Sequence, residues 1–119
     1  MSDILLANME GQFAELLWAV VPLSSKEIVE IASEKYSWKR TTTLTVIKRL
    51  CDKGLFINDN GTIKALISRD DYYAKQGKRF LDIAYNGSLP RFVSCFVKSQ
   101  NLSQEELNDI KSIIDSIDN

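Results

Sequence analysis

The stretch WKRTTTLTVIKRLCDKG, residues 38–54, decides the fold. Its apolar spacing predicts a helix from about Arg40 to Lys53, with Gly54 as its C-terminal cap. Yet the first turn carries Thr41, Thr42 and Thr43 behind Lys39 and Arg40. Threonine loses χ1 freedom against the preceding turn, so a helix built only to fill a core would use Leu, Ala or Glu there. On a helical wheel at about 100° per residue, with Thr41 at zero, Thr45 falls near 40°, Lys48 near 340°, Arg49 near 80° and Thr42 near 100°. Val46, Leu50, Thr43 and Ile47 fall at about 140° to 240°. One half of the helix is therefore apolar apart from a single hydroxyl. The other half gathers Thr41, Thr42, Thr45, Lys48 and Arg49, and Lys39 and Arg40 lead into the same end.

That face has the chemistry to lie along a DNA duplex. A recognition helix enters the major groove with its N-terminal residues nearest the bases. Threonine donates or accepts a hydrogen bond, and its methyl group can touch the thymine methyl. Lysine and arginine neutralise phosphates and release counterions. A helix N-terminus also favours an anionic phosphate. The threonines then trade helix propensity for contact chemistry. The bland alternative is a solvated polar face that happens to be basic.

The flanks choose between the two. Upstream, Phe13, Leu16, Leu17 and Val20 recur at helical spacing from about Met9 to Val20, and Pro22 stops that helix. Ser24 followed by Glu27 has the form of a capping box, with Leu23 and Ile28 as its hydrophobic staple. A second helix follows over Ser25 to about Lys35, burying Ile28, Val29, Ile31 and Ala32. Downstream of Gly54, the strand-like runs from Leu55 to Ile57 and from Ile63 to Ile67 flank Asn58-Asp59-Asn60-Gly61, which predicts a β-hairpin. Three helices and a hairpin wing are the order of a winged helix-turn-helix domain. In the hairpin, Asn60, Thr62 and Lys64 are placed to reach phosphates, although ordinary turn and edge-strand polarity explains them equally well.

After residue 68 the chain returns to helix. Asp70 to Tyr85 carries Tyr73, Phe80, Leu81 and Ala84. Leu89 to about Lys98 places Phe92, Val93, Phe96 and Val97 on one side. Ser103 and Glu106 form another capping box, stapled by Leu102 and Leu107, and open a last helix striped by Leu107, Ile110, Ile113, Ile114 and Ile117. Short amphipathic helices bury little surface alone, so a homodimer sharing one core through Tyr73, Phe80, Leu81, Phe92, Phe96, Leu107, Ile110 and Ile114 is the expected arrangement. The alternative is that they fold back on the N-terminal domain. The chain thus reads as mainly α, with a winged-helix DNA-binding domain over 1–68 and a helical dimerisation domain over 69–119.

Composition is compatible with this. The chain has 119 residues, 45% of them apolar, and a net charge of −1. That near-neutral total hides a basic island at 38–54 and an acidic tail after Ser99. Histidine is absent and Cys51 and Cys95 stand far apart, which argues against a zinc site and for two reduced thiols in a cytoplasmic protein. The opening Met-Ser-Asp predicts no secretory leader, and no apolar run approaches the roughly 20 residues that span a bilayer. No cofactor is expected. Catalysis lacks its parts: the usual general base is missing, and Asp70-Asp71 and Glu105-Glu106 read as helix N-terminal acids.

LLWAVVPLSSKEI, the stretch at 38–54, the hairpin and YNGSLPRFVSCFVKSQNLSQEELNDIK together resemble the BlaI/MecI/CopY family of penicillinase-repressor regulators over nearly the whole chain. The T-T-x-x-T-V-x-x-R-L-x-x-K-G run from Thr41 to Gly54 is the most specific part. The resemblance implies a dimeric winged-helix repressor on a palindromic operator. In its β-lactam branch it also implies a membrane sensor-protease partner of the BlaR/MecR type and cleavage inside the dimerisation domain. The matching bond is Cys95–Phe96, where Cys95 stands in place of that branch's asparagine. The cysteine-rich motif of the copper branch has no counterpart in SIIDSIDN at the end of the chain. The rival reading is a winged-helix module that binds protein and not DNA.

Overall fold

The computed structural model describes residues 8–117. These residues form six helices and one small sheet: α1 Asn8–Val20, β1 Leu23–Ser24, α2 Ser25–Tyr36, α3 Arg40–Asp52, β2 Phe56–Asp59, β3 Thr62–Ala65, α4 Arg69–Tyr85, α5 Leu89–Gln100 and α6 Gln104–Ile117. This is the expected winged helix followed by a helical region. The chain divides into two compact units, Met1–Arg79 and Phe80–Asn119.

The first unit is built on one core. Phe13, Ala14 and Leu17 from α1, Ile28 and Ala32 from α2, and Val46, Ile47 and Leu50 from α3 are buried together with Leu55, Phe56 and Ile63 from the hairpin. Burying each large side chain contributes about 1.5–3 kcal/mol, so the three helices and the wing stabilise one another. Val29 and Ile31, expected inside α2, are only half-buried and do not pack against that core. The opening turns of α4 belong to this unit. The Trp18 ring meets Tyr72 at 5.8 Å and Tyr73 at 6.1 Å. Its indole Nε1 donates to the Ile67 carbonyl at 3.0 Å, so the ring's polar edge is satisfied as well.

The sheet differs from the sequence reading in three respects, one being that β3 ends at Ala65 and not at Ile67. It has three antiparallel strands in the order β1-β3-β2, because Leu23 and Ser24 pair with Ile63 and Thr62. A two-residue strand leaves no periodicity to read, and Ser24 also caps α2, accepting from the Glu27 amide at 3.1 Å. The hairpin turn is also tighter, two residues and not four. Asn60 has φ 52° and Gly61 φ 93°, the pair of positive angles a two-residue primed turn requires. The Asn58 side chain accepts from the Gly61 amide at 2.8 Å and fixes the turn. The strands therefore extend to Asp59 and begin again at Thr62, and Asn58 lies within β2.

The second unit contains α5, α6 and the end of α4. Phe80, Tyr85 and Phe92 form a triangle of edge-to-face rings 5.4–6.0 Å apart, and Phe96 lies 5.5 Å from Phe92. No residue of α4, α5 or α6 is buried. Ile113, Ile114 and Ile117 stand 59–75% exposed along α6, and Leu89 and Phe96 are exposed on α5. No helix among the described residues is long and apolar enough to cross a membrane.

Candidate nucleic-acid interface

The interface starts from how α3 is held. Between α2 and α3 the chain turns through Ser37, at φ 58°, and Trp38. The Trp38 ring packs on Phe13 at 5.1 Å and on Tyr36 at 5.0 Å, which pins the entry to α3 against α1 and α2. Along α3, Thr43, Val46, Ile47 and Leu50 turn inward at spacings of three and four. Thr43 is fully buried, and its hydroxyl donates to the Lys39 carbonyl at 3.4 Å. The far end closes in a Schellman motif. The Gly54 amide donates to the Cys51 carbonyl at 2.9 Å and the Leu55 amide to the Leu50 carbonyl at 3.1 Å. Gly54 takes φ 85°, which a side chain would resist.

With that face buried, the opposite face is exposed. Thr41, Thr42, Thr45, Lys48 and Arg49 are all exposed, as are Lys39 and Arg40 ahead of them. Thr41, Thr42, Thr45 and Arg49, with Val46 at the base, line an open depression of about 300 Å³. The Thr45 hydroxyl donates to the Thr41 carbonyl at 2.8 Å. Lys39, Arg40 and Arg49 make no ion pair among the described residues. Lys48 meets Asp52 at 3.2 Å, with both side chains well exposed. Such an exposed pair adds little to stability, but while it holds, the Lys48 charge is met by Asp52 and not offered to a ligand.

The N-terminus of α3 is unlike those of its neighbours. Four other helices carry a serine whose hydroxyl accepts an amide proton of the first turn at 3.1 Å: Ser24, Ser68, Ser88 and Ser103. The first turn of α1 carries Glu10. For α3 the capping position is Lys39, no side chain caps the helix, and its first turn holds no acid. Its first amides thus lack a side-chain cap, at the positive end of the helix dipole. The sequence held this signal as the absence of Ser, Thr, Asp or Asn at residue 39, which the sequence reading overlooked. Asp52, the one acid in the basic island, lies near 20° on the same wheel and pairs with Lys48 four residues back.

The hairpin residues lie on the wing. Asn60 is exposed in the turn, Thr62 is half-buried in β3, and Lys64 is exposed with its ammonium 2.9 Å from Asp59. Of the apolar residues assigned to dimerisation, Phe80, Phe92 and Phe96 join in the aromatic cluster of the second unit. Leu81, Leu107 and Ile110 are half-buried and Ile114 is 61% exposed. Tyr73 belongs to the first unit, where its ring packs on Trp18 and under the Arg69 guanidinium. Cys95 is exposed in the middle of α5. Cys51 is half-buried in the last turn of α3, where burial, and next the Asp52 charge, push its thiol pKa up. No group of three or more metal-binding side chains occurs among the described residues.

Comparison with known proteins gives the same direction. The family model for the penicillinase repressor matches residues 6–116. The chain is 29% identical over 114 residues to the methicillin resistance regulatory protein MecI of Staphylococcus aureus strain Mu50, covering 92% of each. It is 28% identical, with the same coverage, to MecI of Mammaliicoccus sciuri. It is 26% identical to the penicillinase repressor of Bacillus licheniformis, over 92% of this chain and 89% of that one. These relatives are named as regulators and repressors, not as enzymes.

Proposed function

The chain belongs to the penicillinase repressor family, and from that premise we propose that it is a cytoplasmic transcriptional repressor that binds a palindromic DNA operator as a homodimer. The observation that carries this reading is the exposed face of α3: hydroxyls at Thr41, Thr42 and Thr45, and cations at Lys39, Arg40, Lys48 and Arg49, around a helix N-terminus left uncapped. The threonines meet base edges and Lys39, Arg40 and Arg49 neutralise phosphates, with Asn60 of the wing, and Lys48 and Lys64 paired to Asp52 and Asp59, beside the adjacent backbone. In this reading residues 1–68 bind DNA and residues 69–119 join two protomers. The exposed isoleucines of α6 and the unburied rings of α5 are the surface a second copy covers. Two recognition helices then stand about one helical turn of DNA apart, which is why the operator repeats as a palindrome.

Repression ends, in the same reading, when a membrane sensor-protease of the BlaR/MecR type leads to cleavage of the Cys95–Phe96 bond. That bond lies mid-helix in α5, which buries no residue and therefore opens locally at modest cost. Cutting there divides the apolar face that holds the dimer. Two experiments test the proposal. Purified protein should retard its own upstream promoter DNA at low salt, with retardation lost in the triple variant Thr41→Ala, Thr45→Ala, Arg49→Ala. No retardation by the wild type rejects DNA binding and favours a protein-binding winged helix. Mass spectrometry of the chain from induced cells should find a fragment ending at Cys95, and an intact chain throughout induction rejects cleavage.

A further inference from the structure

Thr45 is exposed on the DNA-facing side of α3, one turn in from its start, yet its hydroxyl proton is already committed. Oγ1 donates to the Thr41 carbonyl at 2.8 Å, a tighter bond than the 3.4 Å one from Thr43 to Lys39. A hydroxyl has a single proton to give. While that proton is spent on the helix backbone, the oxygen offers only lone pairs, and of the two χ1 rotamers open to a helical threonine the side chain takes one that bonds the preceding turn. The side chain then shows the solvent one acceptor and one methyl group, and no donor.

That combination selects among base pairs. In the major groove guanine shows N7 and O6, both acceptors, which a donor-less side chain cannot pair with. Cytosine shows an amine without a methyl group. Only the A·T pair shows both an amine donor, adenine N6, and a methyl group, on thymine C5. We propose that Thr45 is a specificity-determining residue that reads an A·T pair, its methyl group against the thymine methyl and its Oγ1 accepting from adenine N6. The Thr41 carbonyl is the positioning group: by taking the hydroxyl proton it disfavours Thr45 turning to donate to guanine by about 1 kcal/mol, a factor of about five. This inference rests on the DNA-binding reading above and sharpens it to one residue and one base pair.

The test needs no knowledge of the operator. The upstream fragment is amplified once with thymidine and once with deoxyuridine triphosphate, giving the same sequence with and without the 5-methyl groups. Binding of both is measured for the wild type and for Thr45→Ser, which keeps the hydroxyl and loses the methyl. Thermal melting checks that the variant folds like the wild type. The wild type should bind the uracil duplex more weakly by about fourfold per protomer, the transfer value of one methyl group. Thr45→Ser should bind the two duplexes with a difference smaller by that factor. Equal binding of both duplexes by the wild type, or an undiminished uracil penalty in Thr45→Ser, overturns the inference. A wild type that binds neither duplex overturns the DNA-binding reading beneath it.

Discussion

Replacing Arg49 with alanine should flatten the salt dependence of operator binding by a countable amount. Each phosphate contact contributes about −0.9 to the slope of log K against log salt. On α3 and the turn before it, Lys39, Arg40 and Arg49 have no ion pair among the described residues, whereas Lys48 and Lys64 are held by Asp52 and Asp59. Three unpaired cations per protomer make six in the proposed dimer, for a slope of about −5.4. Raising salt from about 50 to 200 mM then weakens binding about two thousandfold. Arg49→Ala removes two of the six, the slope falls to about −3.6, and the same step weakens binding only about 150-fold. Arg49 is exposed, so the change leaves the core of α3 untouched. Fluorescence anisotropy with a labelled upstream duplex at four salt concentrations reads both lines. If the variant line runs parallel to the wild-type line, merely displaced, Arg49 does not neutralise a phosphate and the placement of α3 on the duplex is wrong.

Four further outcomes are expected. Ile110→Asp with Ile114→Asp should give monomers by sedimentation that bind a half-site weakly; a wild type that is itself monomeric rejects the dimer. Asp52→Asn releases Lys48, so binding to non-specific DNA should tighten and the slope should steepen by about 0.9 per protomer, with an unchanged slope as the adverse result. Leu50→Ala empties a fully buried site beneath the recognition face and should cost about 2–5 kcal/mol in urea denaturation, and a loss under about 1 kcal/mol would mean that α3 is not anchored through Leu50. Thiol alkylation near pH 8 should modify exposed Cys95 well before Cys51, because burial raises the Cys51 pKa and lowers its thiolate fraction; equal rates would contradict that burial.

Much of this was legible in the sequence, because the relevant signals are local. The wheel placed Thr43 on the inner half of α3 despite its hydroxyl, and it is fully buried. Ser24, Gly54 and Ser103 occupy the caps that their spacing predicted. What escaped was whatever depends on residues distant in the chain or on a single torsion. The pairing of Leu23–Ser24 with β3 links segments almost 40 residues apart and spans only two residues. Tyr73 shares its helix with Phe80, yet packs on Trp18 far back in the chain. The Thr45–Thr41 bond turns on one χ1 angle, which no periodicity encodes. The stripes of α5 and α6 were read correctly as amphipathic, and the apolar residues along them lie exposed or half-buried. A stripe announces that a face needs covering without naming what covers it.

The most direct measurement is amide-resolved NMR of the full chain, titrated with its upstream duplex at low salt. The account predicts that the largest shifts fall on Lys39 to Arg49, with a second group at the Asn60–Lys64 hairpin tip. Shifts confined to α5 and α6, with the exposed face of α3 unmoved at saturation, would contradict it.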